Sequence, residues 1–151
     1  MAKDVWKPNV TVAAVMEKAG RFLLIEERAS GALVLNQPAG HWEQHETLVE
    51  ACVREVMEES AHRFTPTALL GVYSAHAMPE DLTYLRFAFV GQVGAVEAGR
   101  KLDRGIVRTL WMTADEVRAS RPRHRSPLVL RCVEDYLSGR RYGLDLLAHF
   151  S

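Results

Sequence analysis

Apolar residues recur along the chain in two periods, and the changes of period mark the elements. Residues 10–16 (VTVAAVM) and 21–26 (RFLLIE) are β-rich runs, separated by Glu17-Lys18-Ala19-Gly20, a polar turn whose glycine can supply positive φ. The pattern predicts an opening hairpin. A short apolar run at 32–35 follows, then a Pro- and Gly-containing loop at 36–40. Thr47 with Glu50 three residues on has the form of a capping box and predicts a helix over 48–60. Val49, Cys52, Val53 and Val56 supply its i, i+3, i+4, i+7 stripe. Residues 69–75 and 82–93 read as strands joined through Met78-Pro79-Glu80-Asp81, and 107–112 as another. A short helix at 114–120 precedes a last one, in which Ser126 is the N-cap and Pro127 takes the first helical position, where its missing N–H costs nothing. Leu128, Cys132, Val133 and Tyr136 form the stripe of this last helix, which stops at Gly139. With no repeat, linker or low-complexity tract, the pattern predicts one mixed α/β domain spanning residues 1–151.

The 151 residues are 48% hydrophobic and 25% charged, enough for a core without metal or disulfide staples. Disorder, collagen-like repeats and a small stapled scaffold are excluded. No apolar run approaches the ~18 residues of a membrane span, and the start has a charged head without a secretory pattern. The expectation is a cytoplasmic protein with no membrane partner. Cys52 and Cys132 fall at apolar helix positions and read as buried free thiols. Nineteen basic residues balance nineteen acidic ones, which speaks against long nucleic acids as partners. The total hides its distribution: residues 43–59 carry six glutamates against Arg54 alone, a balance of −5, while residues 100–141 carry eleven Lys/Arg against five Asp/Glu, a balance of +6.

On the predicted helix Glu55, Glu58 and Glu59 stand at i, i+3 and i+4 and share a face. At ~6 Å and an effective dielectric of ~20, each like-charged pair repels by about 3 kcal/mol, more than surface helix pairs return. Either the carboxylates splay into water or a cation sits among them. Arg54 lies inside the cluster, Glu46 stands eight residues earlier, and Gly40 offers a backbone carbonyl where another group can come close. Charged oxygen ligands suit Mg²⁺ or Mn²⁺ and not Zn²⁺.

These residues carry a resemblance. Gly40-x5-Glu46-x7-Arg54-Glu55-Val56-x-Glu58-Glu59-x-Ala61-His62 resembles the Nudix box, G-x5-E-x7-R-E-U-x-E-E-x-G-U with U aliphatic. Ala61 departs from the glycine and His62 from the aliphatic residue. If that glycine site needs positive φ, alanine costs on the order of 1 kcal/mol there, and every metal position is intact. Outside the box, residues 35–41 (LNQPAGH), 85–87 (LRF), 125–129 (RSPLV) and 138–142 (SGRRY) are similar to the NudJ-type branch of the Nudix phosphatases.

The resemblance implies a Nudix-type α/β/α sandwich with a mixed central sheet. It implies Mg²⁺ or Mn²⁺ held by Glu59 and Glu55, by Glu58 directly or through water, and by the Gly40 carbonyl. Arg54, with Glu46 as its partner, would orient these carboxylates. Glu55 is a candidate base, and Asp103, in the loop before the 107–112 strand, is another. Arg86 reads either as a phosphate contact or as one half of a strand-surface ion pair. His41 is a candidate substrate contact, and Trp42 and Trp111 read either as stacking surfaces for a substrate ring or as packing. The basic run Arg118, Arg121, Arg123, His124, Arg125 either meets a phosphate tail or is solvated. The implied activity is Mg²⁺-dependent hydrolysis of phosphoanhydrides in nucleoside tri- and diphosphates and in hydroxymethylpyrimidine diphosphate, by water attack on phosphorus. The alternatives are a pyrophosphatase for ADP-ribose or dinucleoside polyphosphates and, in another class, a nucleotide-binding module without turnover. Many members of the family dimerise, so a homodimer stays open.

Overall fold

The computed structural model describes residues 4–151; residues 1–3, part of the charged head noted above, lie outside the described residues. The described elements are β1 (Asn9–Val15), β2 (Glu17–Lys18), β3 (Arg21–Ala29), β4 (Ala32–Asn36), β5 (Ala39–His41), α1 (Leu48–Ser60), β6 (His62–Ala77), β7 (Leu82–Val96), β8 (Ile106–Thr113), α2 (Ala114–Ala119) and α3 (Leu128–Leu137). One sheet has the order β5-β1-β7-β6, in which β1 runs parallel to β7 and the other neighbours are antiparallel. In the second, β3 pairs with β4 and β8, and β2 pairs with its first residues.

The predicted opening hairpin is therefore corrected. The run at 10–16 and the run at 21–26 belong to different sheets and meet only where Glu17–Lys18 pair with Arg21 and Phe22 and the Leu23 N–H donates to Met16 O. The reason lies in the composition of the runs. Val12–Met16 and Phe22–Ile25 are apolar at every position and buried on both faces, which is the mark of central strands covered from two sides. A hairpin with one wet face would alternate.

Coverage from two sides makes the layers. Val12, Ala14, Met16 and Leu23 share a core with Ala51, Cys52 and Val56 of α1. Their neighbours Val15, Phe22 and Leu24 share the other core with Val117 of α2 and with Val129, Cys132 and Val133 of α3. The result is an α/β/α sandwich with a mixed sheet. Both cysteines are free and buried, and among the described residues no helix is long and apolar enough to cross a membrane.

Helix α1 has the predicted bounds, and its capping box is formed: the Thr47 hydroxyl accepts from Glu50 N–H while the Glu50 carboxylate accepts from Thr47 N–H. Its stripe is corrected. Val53 is 39% exposed, and the buried positions are Ala51, Cys52, Glu55, Val56, Glu59 and Ser60. The buried face is turned so that two glutamates sit at its edge, packed against protein. Strand β6 begins at His62, earlier than the predicted 69, because it is an edge strand whose register shifts at Pro66, where a missing N–H is tolerated. At α3 the predicted start is corrected by one residue: Pro127, not Ser126, is the N-cap and Leu128 the first helical residue, while the Ser126 hydroxyl accepts from Leu128 N–H from one position further out. Leu128 itself is half-buried and Val129 takes its place in the core.

Helix α1 ends at Ala61 with φ 58° and ψ 20°, the left-handed conformation that disfavours any Cβ. Ala61→Gly is expected to stabilise the protein by about 1 kcal/mol, raising the melting temperature by about 2–4 °C. Thermal melting checks this, and a variant that melts at or below the parent temperature contradicts it.

Candidate active site

The last two turns of α1, the β4–β5 connection and the loop between β7 and β8 converge on one acidic region. Arg54 is its organiser. Its Nε and Nη2 donate to the two oxygens of Glu46 at 3.0 and 2.7 Å, Nη2 also donates to His41 O at 3.0 Å, and Nη1 donates to Glu55 at 2.8 Å and Glu58 at 3.2 Å. All five guanidinium N–H groups are engaged. The Glu46 carboxyl is held below its ordinary pKa by these bonds.

Glu55 lies against Gly40. A Cβ at residue 40 would fall 2.1–2.3 Å from the Glu55 carboxyl atoms, so a side chain there would push the Glu55 carboxyl out of the place it occupies. Glu59 accepts from the N–H of the neighbouring Ala39 at 2.8 Å. Both residues are 8% exposed. Burial pushes the Glu55 pKa up to about 7, against the lowering pull of Arg54, and pushes that of Glu59 up to about 8. Glu58 is raised too, first by desolvation. Buried carboxylates with raised pKa values favour either a proton or a cation beside them.

Carboxylate oxygens of Glu55, Glu58 and Asp103 all lie within 4.8 Å of one another. Asp103 reaches them because the loop before β8 is tied to the end of α1 by main-chain bonds, Asp103 N–H to Glu58 O and Glu97 N–H to Ala61 O. Of the four predicted carboxylate ligands and bases, the structure thus gathers three and sets Glu59 on Ala39. A donor set of hard, anionic oxygens with a space kept open by a glycine fits a divalent cation of the Mg²⁺ class.

The NUDIX domain profile matches residues 6–131. The chain belongs to the NUDIX domain family. It is 37% identical over 147 residues to the phosphatase NudJ of Escherichia coli K12, covering 97% of this chain and 95% of that one. The same figures hold for the phosphatase NudJ of Shigella flexneri. Among solved structures, a NUDIX hydrolase from Nitrosomonas europaea superposes with a TM-score of 0.92 at 51% identity, over 95% of this chain and 98% of that one. A MutT NUDIX hydrolase from Burkholderia pseudomallei shares the fold, with a TM-score of 0.73 at 20% identity over 86% and 98%. The chain is a Nudix hydrolase, and Nudix hydrolases use divalent metal ions.

The remaining candidates separate. The reading of Arg86 as one half of a strand-surface ion pair is corrected, since it is 6% exposed. Alternation does set it on the side of β7 away from Leu85 and Phe87, and that side is roofed by α3. Arg86 donates to Gln37 Oε1 and Asn36 Oδ1 at 2.9 Å and lies 3.8 Å from Cys132 Sγ, with no carboxylate among its partners. His41 contributes its carbonyl to Arg54 while the residue is exposed. Trp42 is 42% exposed with its indole N–H on Glu46 O. Trp111 packs on the α1 side of the sheet, edge-on to the buried His62.

Two groups escape sequence reasoning. Glu26, 4% exposed on β3, accepts from Arg108 and Arg123, and Glu27 accepts from Arg125 at 2.6 Å. Their signal was a pair of glutamates closing an apolar strand, RFLLIEE. Part of the basic C-terminal third is thus bound to β3, and Arg118 is bound to Asp115 and Glu134.

Proposed function

We propose that this Nudix hydrolase uses Mg²⁺ or Mn²⁺ to remove phosphate from nucleoside tri- and diphosphates, with hydroxymethylpyrimidine diphosphate as a further substrate. The convergence of Glu55, Glu58 and Asp103 oxygens within 4.8 Å beside Glu59 carries the reading, and the 37% identity to NudJ phosphatases supports the substrate class. Glu55, Glu58 and Glu59 with the Gly40 carbonyl would hold the cation, which would neutralise phosphoanhydride charge and make phosphorus more open to attack. Arg54 and Glu46 fix where Glu55 and Glu58 point, and Gly40 leaves Glu55 its room. The Ala39 N–H sets the free oxygen of Glu59. Asp103 is the exposed member of the cluster, and we assign it, with Glu55 as the competing group, to accept the proton of the attacking water. Arg86, fixed by Asn36 and Gln37, is the proposed contact for an acceptor on the substrate, with His41 and Trp42 at the exposed rim of β5.

The test is a turnover panel of nucleoside tri- and diphosphates, hydroxymethylpyrimidine diphosphate, ADP-ribose and a dinucleoside tetraphosphate, with products separated. Phosphate release from the first three classes, dependent on Mg²⁺ or Mn²⁺, is expected. Turnover confined to ADP-ribose or the dinucleotide moves the enzyme to the pyrophosphatase alternative, and binding without turnover makes it a nucleotide-binding module.

A further inference from the structure

The arginines that follow α2 do more than neutralise β3. Between them and α3 lies an open groove of about 480 Å³, within the size range of small-molecule sites. Arg121, Arg125 and Arg131 line it, with Pro127 and Leu130 as its apolar wall and Ser126 at the end where α3 begins. Glu134 is the single carboxylate of the lining, and both its oxygens accept from Arg118. Three guanidiniums therefore face one carboxylate that is already matched.

Most of the donors on these arginines are unspent. Arg125 uses Nη1 on Glu27, and Arg131 uses Nε on Asp135. Arg121 forms no ion pair among the described residues, while its neighbours Arg118, Arg123 and Arg125 all do. Arg125 and Arg131 are each paired once, and Arg121 adds a third positive charge with no partner of its own among the described residues, which an anion in the groove would match. Guanidinium forks match the oxygens of phosphate in pairs, and Pro127 and Leu130 offer contact for a small apolar body beside it.

We propose that this groove is a second anion site, separate from the carboxylate cluster, that takes a phosphate group either free or as a monoester of a small molecule. The site stands on its own residues, although its ligand chemistry coincides with the products of the proposed reaction.

The test is calorimetric titration of the full chain, stripped of metal and kept in chelator, with inorganic phosphate and separately with adenosine monophosphate. Saturable one-site binding of at least one of them is expected. Arg121→Glu, which removes no observed contact, should weaken it at least about tenfold, and Arg121→Glu with Arg131→Gln should weaken it further. Lys18→Glu, an equal charge change at an exposed site on β2, should leave it unchanged. Tighter binding of the monophosphate assigns the apolar wall to the ester body, and equal binding assigns the site to free phosphate. The proposal is overturned by absence of saturable binding in the millimolar range, by an Arg121→Glu protein that binds like the parent, or by an equal loss in Lys18→Glu. Neither metal nor turnover enters the titration, so its outcome is distinct from that of the turnover panel.

Discussion

Glu59→Gln is expected to make the metal-free protein more stable at pH 8.5 while reducing metal-dependent turnover by at least ~100-fold. The two effects have one cause. Burial raises the Glu59 pKa to about 8 and that of Glu55 to about 7, so between about pH 4.5 and 8 the folded protein holds protons that the unfolded chain has released. Stability of the metal-free protein therefore falls as pH rises through that window, and the full cost of the two charges is present above pH 8. Glutamine keeps the oxygen that accepts from Ala39 N–H and removes the charge, returning on the order of 3 kcal/mol at pH 8.5 and almost nothing at pH 4.5. Divalent ions should reverse the trend in the parent, because carboxylates that shed protons to bind metal bind it better as pH rises. Melting curves at several pH values, with chelator and with Mg²⁺, check this together with turnover. A folded Glu59→Gln protein with parental turnover removes Glu59 from the metal assignment, and a pH-independent metal-free melting temperature removes the electrostatic account.

Arg54→Ala is expected to lose about 3–5 kcal/mol of stability, and Arg54→Lys is expected to recover less than half of it. The guanidinium uses all five N–H groups on Glu46, Glu55, Glu58 and the His41 carbonyl. Its side chain is only 23% exposed, so solvent does little to screen what is left behind. An ammonium has three donors and no plane, so it cannot span Glu46 on one side and the two helix carboxylates on the other. Added Mg²⁺ should restore part of the loss by supplying positive charge to Glu55 and Glu58. The experiment is thermal or denaturant unfolding of both variants. A melting temperature within about 2 °C of the parent for Arg54→Ala means that the pairs contribute no more than ordinary surface ion pairs.

What was legible in the sequence follows from how local each signal is. The bounds of α1, its capping box, the cost of Ala61 in a left-handed turn and the pairing of Arg54 with Glu46 all depend on residues within a few positions of one another or on fixed motif spacing. The misassigned features depend on the other layer. Residues 10–16 and 21–26 look alike in isolation, and which sheet each joins is decided by β7 and β8, about 75 to 92 residues away. Val53 lost its place in the stripe because Glu55 and Glu59, polar in any count of periodicity, are the residues that face protein. Arg86 shows the same limit, since a strand arginine looks solvent-facing until Asn36, Gln37 and α3 close over it.

The two main-chain bonds that tie the loop before β8 to Glu58 and Ala61 have a mechanical consequence. The carbonyls at the end of a helix are acceptors with no partner of their own, and here they grip the segment that carries Asp103. That segment is coil by conformation and part of the helix by attachment. Fraying of the last turn of α1 would carry the loop with it, so the cluster comes apart or holds together as a single rigid body, with the left-handed residue at 61 as its latch.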